Sequence, residues 1–266
     1  MTGFPGETWI VGCGKMAGAM VEGWRRADVD LDQVTAIRPS GTPVDGVKTV
    51  KQLPAGKPGF VLLGVKPQKL DEVAPTLASH LDSSTILVSI LAGVEVASLR
   101  HRFPAAGHVV RAMPNLPVSE NRGVIALVGG DGSIDSLFAM LGTVVRTESE
   151  AELAAIGSLA GAGPAYVARF IAALAKAGAE RGLEARLANR IALQTVLGTA
   201  AMASATGESM DSIAVRVASP NGTTEAGLKI LDPELDPLIA RTLAAASRRG
   251  EELAAAARID SPSSLA

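Results

Sequence analysis

Through the first half of the chain, short runs of β-branched and large apolar residues alternate with stretches whose apolar positions recur at helical spacing. Trp9-Ile10-Val11 leads into a helical stretch over residues 16–26, and strand-like runs follow at residues 34–37, 60–65 and 85–90. That alternation predicts βαβ units and a parallel sheet covered by helices on both faces. Phe60-Val61-Leu62-Leu63 is apolar at every position and reads as a central strand buried on both sides. Runs at residues 108–113 and 124–128, then Val144-Val145, extend the sheet or its edge.

After Thr147 the strand-like runs stop and Ala/Leu-rich segments take over. Pro164 suits a first helical position, because its missing N–H would be unpaired there anyway, and the helix it opens runs to Arg181 with Gly182 as its stop. Further helices are expected over residues 186–205, 210–217 and 236–258, with residues 261–266 as a disordered tail. The fold class expected is α/β: a doubly wound sheet domain over residues 1–149 and an all-helical domain over residues 150–266. Many helical positions are Ala or Gly, which leaves little side-chain area to bury, so a partner subunit is expected to supply part of the core.

Composition narrows the function classes. The 266 residues are 47% hydrophobic and 20% charged with a net charge of −2, which offers no global attraction to nucleic acid or to an acidic membrane. Cys13 is the single cysteine, so an intrachain disulfide cannot form, and no metal-ligand cluster or Ser/His/Asp spacing is present. Residues 1–9 lack the basic start and apolar stretch of a signal peptide, and no apolar run approaches the ~20 residues that span a bilayer. A cytoplasmic location is expected. His80, His101 and His108 stand outside every motif, without an acidic neighbour in sequence that suggests a relay.

Gly12-Cys13-Gly14-Lys15-Met16-Ala17 follows the first strand directly and opens a helix, the context that a G-x-G-x-x-G/A dinucleotide fingerprint requires. Gly12 allows the tight turn, Gly14 lets a pyrophosphate approach the backbone, and Ala17 with Gly18 lets the helix pack close to the strand. The N–H groups of Lys15 and Met16 then face the phosphates. Cys13 is read as a small filler with no chemistry of its own. The structural alternative is an ordinary glycine turn. An NAD enzyme places Asp or Glu about 20 residues past the glycines to bind the ribose 2′-hydroxyl. Here the second strand ends Ala36-Ile37-Arg38-Pro39-Ser40, with no carboxylate. Arg38 can pair with a 2′-phosphate and Ser40 can donate to it, so NADPH is favoured, with NADH possible. The alternative for Arg38 is a solvated loop cation.

Four later stretches carry a resemblance. They are Val65-Lys66-Pro67-Gln68, Arg111-Ala112-Met113-Pro114-Asn115-Leu116-Pro117, Gly161-Ala162-Gly163-Pro164-Ala165-Tyr166 and Ser219-Pro220-Asn221-Gly222-Thr223-Thr224. In content, order and spacing, from Trp9 to about Leu253, the chain resembles the pyrroline-5-carboxylate reductase family. The resemblance implies a Rossmann domain joined to a helical domain that dimerises through interlocking helices, with rings of dimers in many members. It implies an active site where the two domains, from different subunits, meet, and NADPH-dependent reduction of 1-pyrroline-5-carboxylate to L-proline. Val65, Lys66 and Pro67 leave the carboxyl end of a central strand, where open α/β sheets bind ligands. The resemblance gives a cofactor role to Ile90, Leu91 and Ala92 as well. Asn115 is either a polar contact near the nicotinamide or the cap of a turn.

At the substrate end, a glycine-containing turn entering a helix presents free N–H groups to a carboxylate, which suits Ser219, Asn221, Gly222, Thr223 and Thr224. The resemblance brings the two threonines to the substrate and lets Thr224 hydrogen-bond the ring nitrogen as an orienting donor. Capping of the helix by Asn221 or Thr223 uses the same geometry. Glu150 aligns with an acidic family position near substrate, and a surface glutamate that begins a helix is the alternative. The chain departs from the family pattern at Ala162 (Ser), Asn221 (Gly), Ala172 (acidic), Ala160 (Ser or Thr) and Lys51 (Asn that contacts cofactor). These losses leave two rivals open: a reductase of a related cyclic imino acid, and a non-catalytic NADP-binding scaffold.

Overall fold

The computed structural model describes residues 3–259, so the tail expected at residues 261–266 lies outside the described residues. The described residues fold as two compact units, residues 3–162 with 246–259, and residues 163–245. The boundary thus falls thirteen residues beyond the expected 149/150, because residues 150–162 pack on the sheet: Leu153 is fully buried against Ala126 and Val128.

In the first unit the strands are β1 (Thr8–Val11), β2 (Val34–Ile37), β3 (Lys48–Val50), β4 (Phe60–Leu63), β5 (Ile86–Ser89), β6 (His108–Pro114), β7 (Gly123–Gly129) and β8 (Gly142–Thr147). They form one sheet in the order β3-β2-β1-β4-β5-β6-β7-β8. Every neighbouring pair is parallel except β6 with β7. The first six follow the doubly wound order 3-2-1-4-5-6, with the switch point between β1 and β4.

Period-2 alternation divides the strand side chains between two cores. Phe60 and Leu62 of β4 join Met20 and Trp24 of α1 (Lys15–Arg26), while Val61 and Leu63 join Leu70 and Leu77 of α2 (Leu70–Ala78) and Leu99 of α3 (Val96–Arg102). The central-strand reading of Phe60 to Leu63 is therefore met on both faces, though the strand ends at Leu63 and the chain bends at Val65. β3 fell outside the strand-like runs, being three residues long at the sheet edge and half exposed. Short α4 (Asp135–Ala139) covers the far end of the sheet with Leu137 and Phe138.

The helical segments are α5 (Glu150–Ile156), α6 (Gly163–Glu180), α7 (Ala185–Thr206), α8 (Met210–Val217) and α9 (Thr223–Ile259). Pro164 does not open a separate helix: a π-helical turn, Gly157–Gly161, carries α5 into α6, which starts one residue earlier at Gly163. α9 runs through Pro233 and Pro237 and begins thirteen residues before the expected start at residue 236. In the second unit only Ala175, Ala188, Ala192 and Ile213 are buried apolar side chains, whereas Phe170, Leu174, Ile191, Leu197 and Ile230 are exposed. That unit has no large core of its own within one chain.

α1 packs tightly at Gly23, where a Cβ would lie 2.1 Å from the Val118 carbonyl oxygen and 2.7 Å from Leu141 Cδ2. Gly23→Ala should destabilise this unit by about 1–3 kcal/mol through overpacking, outweighing its better helix propensity. A thermal midpoint equal to that of the unmodified chain would show that α1 is less tightly seated than this.

Candidate active site

The carboxyl ends of β1, β2, β4, β5 and β6 place their following residues along one edge of the sheet. Gly12 N–H donates to Ile37 O (3.0 Å), Gly64 N–H to Val11 O (2.8 Å) and Ile90 N–H to Leu63 O (3.0 Å). Gly12 has φ +84°, and a Cβ there would sit 2.6 Å from Val65 N; one on Gly64 would sit 2.5 Å from Gly12 O. The turn is built of glycine because two backbones touch there. A Cβ on Gly14 would meet nothing within 4 Å, which leaves room for a ligand to approach the main chain.

α1 begins at Lys15 with Gly14 as N-cap, no side-chain cap and no acidic residue in its first turn. Its leading N–H groups, including those of Lys15 and Met16, are left for an anion. Ala17 is buried under the strand, but Gly18 faces open space rather than the sheet, so the close packing expected of Ala17 with Gly18 belongs to Ala17 alone. A cavity of about 510 Å³ opens beside this turn, lined by Cys13, Gly14, Lys15, Gly18, Arg38 and Val44 among others. Cys13 is buried, and burial pushes its thiol pKa up against the opposing pull of Arg38, which keeps it protonated and unreactive at neutral pH.

Arg38 reaches back over its own loop, donating from Nη1 to Thr42 O (3.0 Å). Ser40 Oγ lies 3.0 Å from Thr42 Oγ1 and accepts from Thr42 N–H (3.2 Å). Along the same edge, Val65 is half-buried, Lys66 is exposed, and Pro67 opens a short 3-10 turn, Pro67–Lys69. Leu91 is buried in the core, so what it offers the edge is backbone, whereas Ala92 is exposed. Asn115 is buried and its amide is committed at both ends: Nδ2 donates to Ala160 O (3.0 Å) and Oδ1 accepts from Val124 N–H (2.8 Å). It ties the end of β6 to β7 and to the π-helical turn.

Glu150 is held as firmly. One carboxylate oxygen accepts from the first N–H of α3, at Val96 (2.8 Å), and the other pairs with Arg111 Nη1. Arg111 is buried within β6, so Glu150 supplies the counter-charge it needs. Sequence reasoning missed this pair, whose members are 39 residues apart. His108, expected to lack an acidic neighbour, has Asp131 Oδ2 at 3.5 Å, but it starts β6 at the opposite edge of the sheet from the glycine turn.

In the second unit, residues 219–222 turn into α9. Asn221 takes a left-handed conformation (φ 58°), which Asn tolerates better than other non-glycine residues, and this accounts for Asn at a position where the family pattern has Gly. Gly222 N–H donates to Ser219 O (2.9 Å), and a Cβ on Gly222 would sit 2.9 Å from that oxygen. The capping expected of Asn221 or Thr223 is not made; instead Glu225 Oε2 reaches past the helix start to accept from Asn221 N–H (2.6 Å), while Oε1 pairs with Lys229 (3.0 Å). The first helical carbonyl, Gly222 O, is taken by Ala226 N–H, so the N–H groups of Thr223, Thr224 and Glu225 have no intrahelical acceptor.

Residues 150–253 match the family model for pyrroline-5-carboxylate reductase dimerisation, and residues 8–93 match that for NADP oxidoreductase, coenzyme F420-dependent. The pyrroline-5-carboxylate reductase of Pseudomonas aeruginosa is 33% identical over 262 residues, covering 92% of this chain and 96% of the relative. The chain belongs to the pyrroline-5-carboxylate reductase family. The Synechocystis enzyme of the same name is 38% identical over 201 residues, 73% of this chain and 74% of that one. Among solved structures, the pyrroline-5-carboxylate reductase of Coxiella burnetii superposes with a TM-score of 0.84 at 29% identity, covering 93% of this chain and 98% of that one. A Plasmodium falciparum pyrroline carboxylate reductase solved with NADP bound shares the fold, with a TM-score of 0.82 at 21% identity over 94% of this chain and 98% of that one. The dimerisation model covers the helices that expose Phe170, Leu174, Ile191 and Leu197, and the chain is a homodimer.

Glu150→Gln should lower stability by on the order of 2 kcal/mol, below the 3–5 kcal/mol of a fully buried pair, since Glu150 keeps partial solvent access. The substrate KM should stay within about twofold, because both oxygens already have protein partners. An unchanged thermal midpoint with a raised KM would return Glu150 to the substrate.

Proposed function

We propose that the chain reduces 1-pyrroline-5-carboxylate to L-proline with NADPH, in proline biosynthesis. The observation that carries this reading is the pairing, in one chain of this family, of an open glycine turn at the switch point with an uncapped helix start at Thr223. The first fits a dinucleotide pyrophosphate and the second a small carboxylate.

When bound, NADPH supplies a hydride to the carbon of the C=N bond. The π pair of that bond moves onto nitrogen, which takes one proton, so the ring gains two hydrogens and stays closed. Gly12 and Gly14 bring backbone to the pyrophosphate, the N–H groups of Lys15 and Met16 donate to it, and Arg38 and Ser40 face the 2′-phosphate. Val65, Lys66, Pro67, Ala92 and the backbone of Leu91 border the nicotinamide end, and Asn115 acts there by holding the edge in shape. The N–H groups of Thr223 and Thr224 hold the substrate carboxylate without an arginine, on a turn shaped by Ser219, Asn221 and Gly222. The Thr224 hydroxyl donates to the ring nitrogen and orients it; threonine is too weak an acid to be a tuned proton source.

The single buried thiol supports a reducing, cytoplasmic setting. Assembly of dimers into a larger ring is supported by the family resemblance.

The test is the initial rate of NADPH oxidation with pyrroline-5-carboxylate, and separately with its six-membered-ring analogue. Rapid turnover with the first and slow turnover with the second is the expected result; the reverse would assign the chain to the related imine, and binding of NADPH without turnover to a scaffold role. Thr224→Ala should lower kcat/KM by about 10²-fold with NADPH affinity intact. Kinetics equal to those of the unmodified enzyme would remove Thr224 from the mechanism.

A further inference from the structure

We propose that Lys51 is a second cation for the 2′-phosphate of NADPH, and that Arg38 and Lys51 together set the preference of this chain for NADPH over NADH. The inference rests on the NADP reading given above and adds a residue that the family pattern does not supply, since that pattern has Asn at this position.

β2 and β3 are parallel neighbours with Ile37 in register with Val50. The next residue on each strand is Arg38 and Lys51, and Arg38 N–H donates to Val50 O (2.8 Å), so the register carries through the last step. Two cations therefore leave adjacent strands side by side at the carboxyl edge, where a doubly wound fold binds the adenosine ribose. The loop after β2 folds back at Gly41 (φ +67°), and a Cβ there would lie 2.6 Å from Lys51 Cε and 3.3 Å from its Cγ. The lysine stem thus lies along the Gly41 main chain, on the turn that also carries the Ser40 and Thr42 hydroxyls. Glycine at 41 is needed both for the left-handed turn and to leave the stem its place.

Charge supports the same assignment. No ion pair to Arg38 or Lys51 is formed among the described residues, although Glu22 and Asp45 line the same cavity as Arg38. Glu22 pairs with Arg25 and Arg26, and Asp45 approaches Arg25 at 3.9 Å. A phosphate monoester carries roughly −1.5 to −2 charge near neutral pH, more than one guanidinium neutralises. Two cations and two hydroxyls on one turn match that dianion, whereas a ribose 2′-hydroxyl would gain nothing from a second positive charge.

The test is equilibrium calorimetry on the purified full-length chain with NADP⁺, NAD⁺ and adenosine 2′,5′-bisphosphate. Lys51→Met should weaken NADP⁺ and the bisphosphate by roughly five- to tenfold at low salt, leave NAD⁺ binding unchanged, and narrow its gap from the unmodified chain as salt rises. Lys51→Arg should restore the affinity. Unaltered NADP⁺ affinity in Lys51→Met, or an equal loss for NAD⁺, would overturn the role of Lys51 while leaving Arg38 in place. An unmodified chain that binds NAD⁺ as tightly as NADP⁺ would overturn the NADP reading and the proposal with it.

Discussion

Two main chains meet at the switch point of the sheet with no space for a side chain between them. Gly12 leaves β1 and Gly64 leaves β4, and a methyl group on either would sit within 2.6 Å of the other strand's backbone. Closing that gap lets Gly12 adopt its left-handed turn, which aims the chain into α1 with its N-terminal N–H groups pointing out of the sheet edge. The glycine turn and the helix start both depend on this one close approach. The two cores on either side of the sheet hold it in place, because the alternation along β4 locks that strand against α1 on one face and against α2 and α3 on the other.

The second unit obeys a different constraint. Its helices are rich in alanine and glycine, and their buried residues within one chain are mostly alanines. Small residues allow α6 and α7 to approach closely: Leu183 Cδ1 and Ala188 Cβ lie 3.4 and 3.6 Å from the position of a Cβ on Gly178. Such packing removes little apolar area from water, and the larger side chains face outward. Within one chain this unit therefore gains little from apolar burial, and the apolar side chains it exposes fall within the matched dimerisation region. The run from Glu150 to Glu180 has the length and hydropathy of a membrane-crossing helix, but it bears Arg169 and Lys176 and lies within the matched dimerisation region.

Most of the sheet was legible because strands buried on both faces are continuously apolar, as in Phe60 to Leu63, and because the glycine motif falls between a strand and a helix. What escaped reading had weak local signals or distant partners. β3 offers only Lys-Thr-Val and sits at an edge. The continuity of α9 also escaped: a helix start at residues 219–224 and a helix over residues 236–258 were expected separately, and they are one helix that runs through Pro233 and Pro237, whose remaining backbone bonds carry the two prolines. The role of Glu150 depends on Arg111 and Val96, neither near it in sequence. At residues 219–224 the turn and helix start were legible, but the partner of Asn221 N–H was not, because Glu225 reaches backward to it and leaves the two threonines uncapped.

The departures from the family pattern weigh less once the groups they remove are compared with those that remain. Position 160 lacks the usual hydroxyl, but its carbonyl accepts from Asn115 whatever side chain it bears, and that tie joins β6 to the π-helical turn. Position 221 lacks glycine, but asparagine reaches the same left-handed conformation, and the N–H groups of Thr223 and Thr224 are left open. In each case the main-chain geometry is kept: the Asn115 bond does not depend on the side chain at 160, and asparagine reaches the turn conformation at 221. Lys51 runs the other way, adding a charge where the pattern is neutral, at a place where only the side chain can act. In the proposed site, recognition of the substrate anion therefore rests on backbone geometry, whereas the proposed discrimination between the two nicotinamide cofactors rests on exposed side chains and can be changed one residue at a time.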